Sequence, residues 1–86
     1  MERVDLDEHL DEICEGNKLA FAAWLGGAED TVRATLRSFA RVIYVEAVLQ
    51  ESLLRVWQVA PRFDPDGRPN GLLRLAIRIA RNLAIS

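Results

Sequence analysis

The sequence predicts an all-α fold, a compact bundle of four to five helices. Half of its 86 residues are hydrophobic, and they recur at the three- and four-residue spacing that places side chains on one face of a helix. Glycine and proline, which interrupt helices, gather at a few places along the chain. We find no strand pattern, internal repeat or low-complexity tract. The length suits one domain, residues 1–86, with a single core.

Two short helices are predicted in the first 27 residues. Asp5 and Glu8 have the spacing of a capping box, and an apolar stripe runs from there to Gly16. Asn17 is placed to cap a second helix, which we expect to end at Gly26-Gly27. The apolar residues of the first helix are Leu6, Leu10, Ile13 and Cys14, and those of the second are Leu19, Phe21, Ala22, Trp24 and Leu25.

A long helical pattern without glycine or proline runs from Glu29 to Pro61. Its apolar stripe changes phase halfway, and one helix of that length would be unusual in so small a domain. We therefore expect two helices with a break near Ile43-Tyr44-Val45, and an ion pair between Glu29 and Arg33. The predicted core of the bundle includes Phe21, Trp24, Leu36, Phe39, Leu49, Leu53, Val56 and Trp57.

The last helix is predicted to be the basic one. All three prolines lie in the loop 61–71, and Asn70 is placed to cap the helix that follows. No acidic residue occurs after that point, and Arg74, Arg78 and Arg81 fall at positions i, i+4 and i+7. This spacing aligns the three guanidinium groups along one side, where they suit the phosphates of a nucleic-acid backbone. A solvated helix face is an equally good interpretation of this stretch alone.

The charge of the chain is divided unevenly. Residues 1–30 carry nine acidic residues against two basic ones, a net charge of −7, whereas residues 31–86 carry nine arginines against four acids, a net charge of +5. This division predicts an anionic partner for the second part of the chain. We expect the acidic first helix, residues 1–15, to stay away from DNA and to shield the basic surface or repel non-specific nucleic acid.

Several function classes are excluded or disfavoured by composition. Cys14 and His9 are the only cysteine and histidine, so no intrachain disulfide can form and no metal site of ordinary ligand spacing is expected. No nucleophile–histidine constellation or glycine-rich phosphate loop is present. We therefore expect no enzyme, cofactor or small-molecule substrate. The longest uncharged run, residues 19–28, is too short to span a bilayer, so we expect a cytoplasmic protein without a membrane partner.

Four segments of the chain resemble the second conserved region of bacterial extracytoplasmic-function sigma factors, members of the sigma-70 superfamily. Residues 16–21, Gly-Asn-Lys-Leu-Ala-Phe, resemble the Gly-Asp-x-x-Ala-Phe opening of that family. Residues 50–57, Gln-Glu-Ser-Leu-Leu-Arg-Val-Trp, resemble its Gln-Glu-x-Phe-Leu-Arg-Val-Trp helix. Arg62-Phe63-Asp64 and the segment 78–84, Arg-Ile-Ala-Arg-Asn-Leu-Ala, follow in the family's order and at its distances.

The resemblance implies a helical domain of the sigma-factor region 2 type, which docks on the clamp of core RNA polymerase and recognises and melts the promoter minus-ten element. It implies core RNA polymerase, promoter DNA and an anti-sigma factor as partners. The implied polymerase-binding residues are Glu46, Gln50, Glu51, Leu54 and Arg55. The implied loop for a flipped promoter base contains Arg62, Phe63, Asp64 and Asn70. The implied DNA-binding residues are Arg68, Arg74, Arg78, Arg81 and Asn82.

The chain departs from the family pattern in three places. Tyr44 and Ala47 stand where the family usually has aspartates, and the segment 72–77 lacks the family's aromatic residues, which normally stack on bases in single-strand binding. The sequence ends at Ser86 without a promoter-reading carboxy-terminal domain, so we expect a fragment. The departures favour an alternative, a sigma mimic or anti-sigma-binding domain without promoter-melting activity. A plain helical bundle with solubilising arginines is the third interpretation.

Overall fold

The computed structural model of the protein describes residues 5–39 and 44–85, and every regular element within them is helical. A 3-10 helix covers Leu6–His9 and a second covers Ala60–Arg62. The α-helices are α1 (Leu10–Cys14), α2 (Lys18–Arg37), α3 (Val45–Val59) and α4 (Gly71–Ile85). The described part of the chain contains no strand, so the predicted all-α class is confirmed, with four α-helices that pack on one another.

The predicted caps of the first two helical segments are present. The Asp5 carboxylate accepts a hydrogen bond from the backbone N–H of Asp7 at 3.0 Å. The Asn17 side chain accepts from the N–H groups of Leu19 and Ala20, at 3.0 and 3.1 Å, and so satisfies two donors that the helix leaves unpaired. Between these caps, Gly16 has a φ of +88°, a conformation that side-chain-bearing residues rarely adopt.

The predicted end of the second helix at Gly26-Gly27 is wrong, because α2 continues through both glycines to Arg37. Glycine lowers helix stability by about 1 kcal/mol relative to alanine, which packing can offset. Here Gly27 lies against Leu6, and a Cβ atom at this position would be 2.5 Å from Leu6 Cδ2. The glycine therefore marks the place where the leading segment crosses α2, and the helix expected from Glu29 is the second half of α2.

A break separates α2 from α3, as predicted. α2 ends at Arg37, and α3 begins at Val45 after an extended Tyr44. Of the three residues around which the break was expected, Ile43 lies outside the described residues. Arg33 links the two helices because its guanidinium lies 2.9 Å from Glu29 in the same helix and 2.8 Å from Glu46 in α3. The first of these contacts confirms the predicted Glu29–Arg33 pair.

The core lies between α2, α3 and α4, and it is closed on one side by Leu6, Leu10 and Ile13 of the leading segment. Five of the eight predicted core residues are buried: Trp24, Leu36, Leu49, Leu53 and Val56. Phe21, Phe39 and Trp57 are half-buried and pack against the core. The inner face of α4 consists largely of Gly71, Leu72, Ala76, Ala80 and Ala84, and its small side chains let the helix approach its neighbours closely.

Asn70 directly precedes α4, as predicted, and its backbone carbonyl accepts a hydrogen bond from the N–H of Arg74 at 3.0 Å, but another residue binds the first N–H groups of the helix. The carboxylate of Asp7 accepts hydrogen bonds from the N–H groups of Gly71 and Leu72, at 2.7 and 3.2 Å. Asn70 has a φ of +56°, and its side-chain oxygen accepts from the N–H of Leu6 at 2.7 Å. The first turn of α4 is therefore capped from a segment more than sixty residues earlier in the chain, which local sequence rules cannot detect.

Candidate functional site

The outer face of α4 is basic, because this helix contains three arginines and no acidic residue. A shallow groove of about 350 Å³ is lined by Arg74, Ile77, Arg78, Arg81, Asn82 and Ile85. The arginine spacing seen in the sequence therefore does bring the three guanidinium-bearing residues to one side of the helix, together with Asn82. Arginine and asparagine side chains supply N–H donors for phosphate oxygens and for base edges, respectively.

The three arginines of this groove are not equivalent. Arg78 and Arg81 are exposed and form no ion pair within residues 5–39 and 44–85, so their donors remain available to an external anion. Arg74 instead binds the Asp66 carboxylate with both terminal nitrogens, at 3.0 and 2.9 Å. Arg68 binds the same carboxylate at 2.8 Å. Arg68 and Arg74, two of the five residues predicted to contact DNA, therefore both bind Asp66 within the protein.

Asp66 is held in its charged form by these contacts. The hydrogen bonds from Arg74 lower the pKa of Asp66 far below its usual range, with further contributions from the backbone N–H and side chain of Arg68. The same pairing raises the pKa of Arg74. Asp66 therefore stays ionised through the neutral and mildly acidic range, and it neutralises part of the charge at the loop end of α4.

The loop predicted to hold a promoter base lies beside the first turns of α4. Arg62 and Asp64 are exposed, whereas Phe63 is half-buried and packs on the core. A Cβ atom at Gly71 would lie 3.1 Å from Phe63 Cζ, so this ring rests on the start of α4. A cleft of about 240 Å³ joins loop and helix, and it is lined by Phe63, Asp64, Asp66, Gly71, Arg74, Leu75 and Arg78.

The residues predicted to bind polymerase lie along α3, but they do not share one environment. Glu46 accepts hydrogen bonds from Arg33 at 2.8 and 3.2 Å, which lowers its pKa and gives it a part in joining α2 to α3. Glu51 and Arg55 pair with each other at 3.1 Å and face α4 across a groove of about 590 Å³. Gln50 is exposed between these features.

Leu54 is half exposed, as expected for a contact residue. It lines an apolar cavity of about 260 Å³ between α2 and α3, together with Lys18, Phe21, Leu53 and Trp57. Leu54 and Trp57 lie one helical turn apart on α3 and line the same cavity, so the exposed leucine is continuous with the aromatic residues. Sequence reasoning treated Phe21 and Trp57 as core residues and missed their second role as the floor of this cavity.

The acidic leading segment lies against the basic helix rather than away from it. Asp7 reaches the N-terminus of α4, and its charge contributes to the raised pKa of Arg74. Asp5 accepts a hydrogen bond from the N–H of Asn70 at 2.9 Å. These carboxylates face the positive end of the α4 dipole, a favourable arrangement that also fixes the segment in place.

No protein-family model, no curated protein and no solved structure matches this chain. Within residues 5–39 and 44–85, no group of three histidine, cysteine, aspartate or glutamate side chains is arranged to hold a metal ion. None of the helices in that part of the chain combines the length and apolarity needed to cross a membrane. Two surface features of the described residues contain side chains predicted to bind partners: the arginine groove of α4 and the Leu54 cavity beside α3.

Proposed function

We propose that this chain is a transcription initiation factor domain of the sigma-factor region 2 type, which binds core RNA polymerase and recognises and melts the promoter minus-ten element. The observation that carries the proposal is the α4 groove, where Arg78 and Arg81 lie beside Asn82 and pair with no acid among residues 5–39 and 44–85. The segment 78–84 is also one of the four that resemble the sigma-factor family. The segment that contains Arg78 and Arg81 is therefore also one that resembles the family.

The chemistry of this groove suits single-stranded DNA. Arginine binds phosphate oxygens through paired donors and keeps its charge at all physiological pH values. The carboxamide of Asn82 can donate and accept together, which is what the edge of an extruded base requires. Ile77 and Ile85 provide apolar surface on the same side of the helix, although they stack on bases less well than aromatic rings. We expect the isolated domain to bind weakly and to depend on polymerase to hold the strands.

The Leu54 cavity supports the polymerase half of the proposal. Leu54 and the aromatic rings of Phe21 and Trp57 form a contiguous apolar patch of the kind that marks interaction sites, and tryptophan is among the residues enriched at the centres of protein–protein contacts. Lys18 also lines the cavity, and Gln50 is exposed one helical turn before Leu54, so polar side chains accompany the apolar patch as they do in interfaces.

Electrophoretic binding to purified core polymerase tests this assignment. Leu54→Asp should weaken the complex by about tenfold, because a charge replaces the apolar contact at the cavity rim. Its melting temperature should match that of the wild type, since Leu54 is half exposed. Leu19→Asp is the matched control, because Leu19 is 82% exposed and does not line the cavity. Equal binding by both variants would remove α3 from the partner face.

A second candidate function is a sigma mimic that occupies an anti-sigma factor without melting DNA. Asp66 neutralises Arg68 and Arg74, which reduces the charge available to a promoter strand. α4 also has no aromatic residue for stacking on bases. A mimic would bind its protein partner through the Leu54 cavity and show no affinity for a minus-ten-like oligonucleotide, alone or with core polymerase.

A further inference from the structure

The guanidinium of Arg74 is occupied mostly by the loop that precedes its helix. An arginine side chain has five N–H donors. In Arg74, two of them bind the Asp66 carboxylate at 3.0 and 2.9 Å. A third contacts the carbonyl oxygen of Arg68 at 3.2 Å, and the Nε–H contacts that of Pro69 at 3.3 Å. Only one donor is left for an external phosphate.

Two of these four acceptors are backbone carbonyls. They distinguish a contact that holds the loop in place from one that only occupies Arg74 until a phosphate displaces Asp66. A phosphate could replace the Asp66 carboxylate on Arg74, because both are anions of similar hydrogen-bonding geometry. It could not replace the carbonyls of Arg68 and Pro69 without releasing the loop. The contact of Arg74 therefore holds the loop backbone in place and is more than a pairing of charges.

The loop is fixed at its other points by similar contacts. The Asp66 carboxylate accepts from the backbone N–H of Arg68 at 3.0 Å, closing a short turn with Gly67 at its centre, whose φ is +82°. Asn70 is held at its N–H by Asp5, at 2.9 Å. Arg74 thus joins the middle of the loop to α4, while the leading segment holds its end.

We propose that Arg74 is a positioning residue that, with Asp66, clamps the loop 64–69 onto α4 and so shapes the cleft that selects a base. The inference rests on the proposed function, since it assigns separate tasks to the arginines of one DNA-binding surface. Asp64 and Phe63 line that cleft opposite Arg74 and Arg78. Arg78 and Arg81 contribute phosphate affinity, and the clamp contributes sequence preference.

Replacing Arg74 by lysine separates its contacts with the loop from its charge. Lysine retains the charge and serves adequately as a phosphate contact, but it lacks the planar fork that binds a carboxylate and two carbonyls together. We expect Arg74→Lys to reduce the preference for a minus-ten-like single strand over a scrambled one by about fivefold, with an unchanged dependence of affinity on salt. The matched control Arg37→Lys, at the exposed end of α2 and outside the groove and the cleft, should change neither quantity.

Asp66→Asn tests the same clamp from the other side. Asparagine can still accept from the Arg68 N–H but offers Arg74 only one oxygen and no charge. We expect this variant to lose sequence preference to the same extent as Arg74→Lys, and the double variant to lose no more than either single one. A rise in affinity together with a steeper salt dependence would overturn the proposal, because Asp66 would then be competing with phosphate.

Hydrogen exchange of the loop amides gives a readout that does not depend on DNA. The Gly67 and Arg68 amides should exchange about fivefold faster in both variants, while the amides in the middle of α2 keep their wild-type rates. Unchanged exchange in the loop would show that no clamp exists. If exchange accelerates as expected but even the wild type binds no oligonucleotide, alone or with core polymerase, the clamp stands and the proposed function fails.

Discussion

At the scale of single residues, the glycines of α2 show how a side chain far away in the sequence decides what a position tolerates. Gly26 has open space where a Cβ atom would be, whereas Gly27 faces Leu6. In the sequence, Gly26-Gly27 predicts the end of a helix. In the structure, both glycines lie inside α2 and have different surroundings.

This difference gives a prediction about stability. Gly26→Ala should raise the free energy of unfolding by about 0.5–1 kcal/mol, because alanine loses less backbone freedom in a helix. Gly27→Ala should give a smaller gain or a loss, because its methyl group meets Leu6 Cδ2. Urea denaturation of the two variants measures the difference. Equal gains at both positions would mean that the leading segment does not pack on α2 as described.

At the scale of elements, the acidic leading segment caps α4 and also contributes exposed negative charges. Leu6, Leu10 and Ile13 are buried in the core, and Asp7 caps α4. Deleting residues 1–15 would therefore damage the fold, and it could not test the expected shielding of the basic surface. The exposed acids of α1 and its end, Asp11, Glu12 and Glu15, offer a cleaner test.

Replacing these three acidic residues by their amides should leave the fold intact and change only the electrostatic potential around the protein. We expect Asp11→Asn, Glu12→Gln and Glu15→Gln together to raise affinity for non-specific single-stranded DNA by about two- to fivefold at low ionic strength. The gain should vanish as salt increases, because exposed charges are screened. Thermal melting is the control for folding. Unchanged affinity at low salt would reduce this segment to its structural role.

At the scale of the whole molecule, the sequence predicted what depends on local pattern. Helical periodicity predicted the all-α class, the Asn17 cap, the break between α2 and α3, and the alignment of Arg78 with Arg81. It could not predict contacts between distant segments, such as Asp7 with Gly71 or Leu6 with Gly27. The same limit explains Arg74, whose partner Asp66 lies in an irregular loop.

The central claim is that the α4 groove binds the single strand of a promoter. It is tested most directly by the fluorescence anisotropy of a minus-ten-like oligonucleotide over a series of salt concentrations. Arg78→Ala should weaken binding to all sequences alike and reduce the slope of log affinity against log salt by about 0.7, since one phosphate contact is lost. Asn82→Ala should mainly erase sequence preference. Arg37→Ala, an exposed arginine at the end of α2, should match the wild type. Identical binding by the wild type and all three variants would contradict the assignment of α4 to DNA.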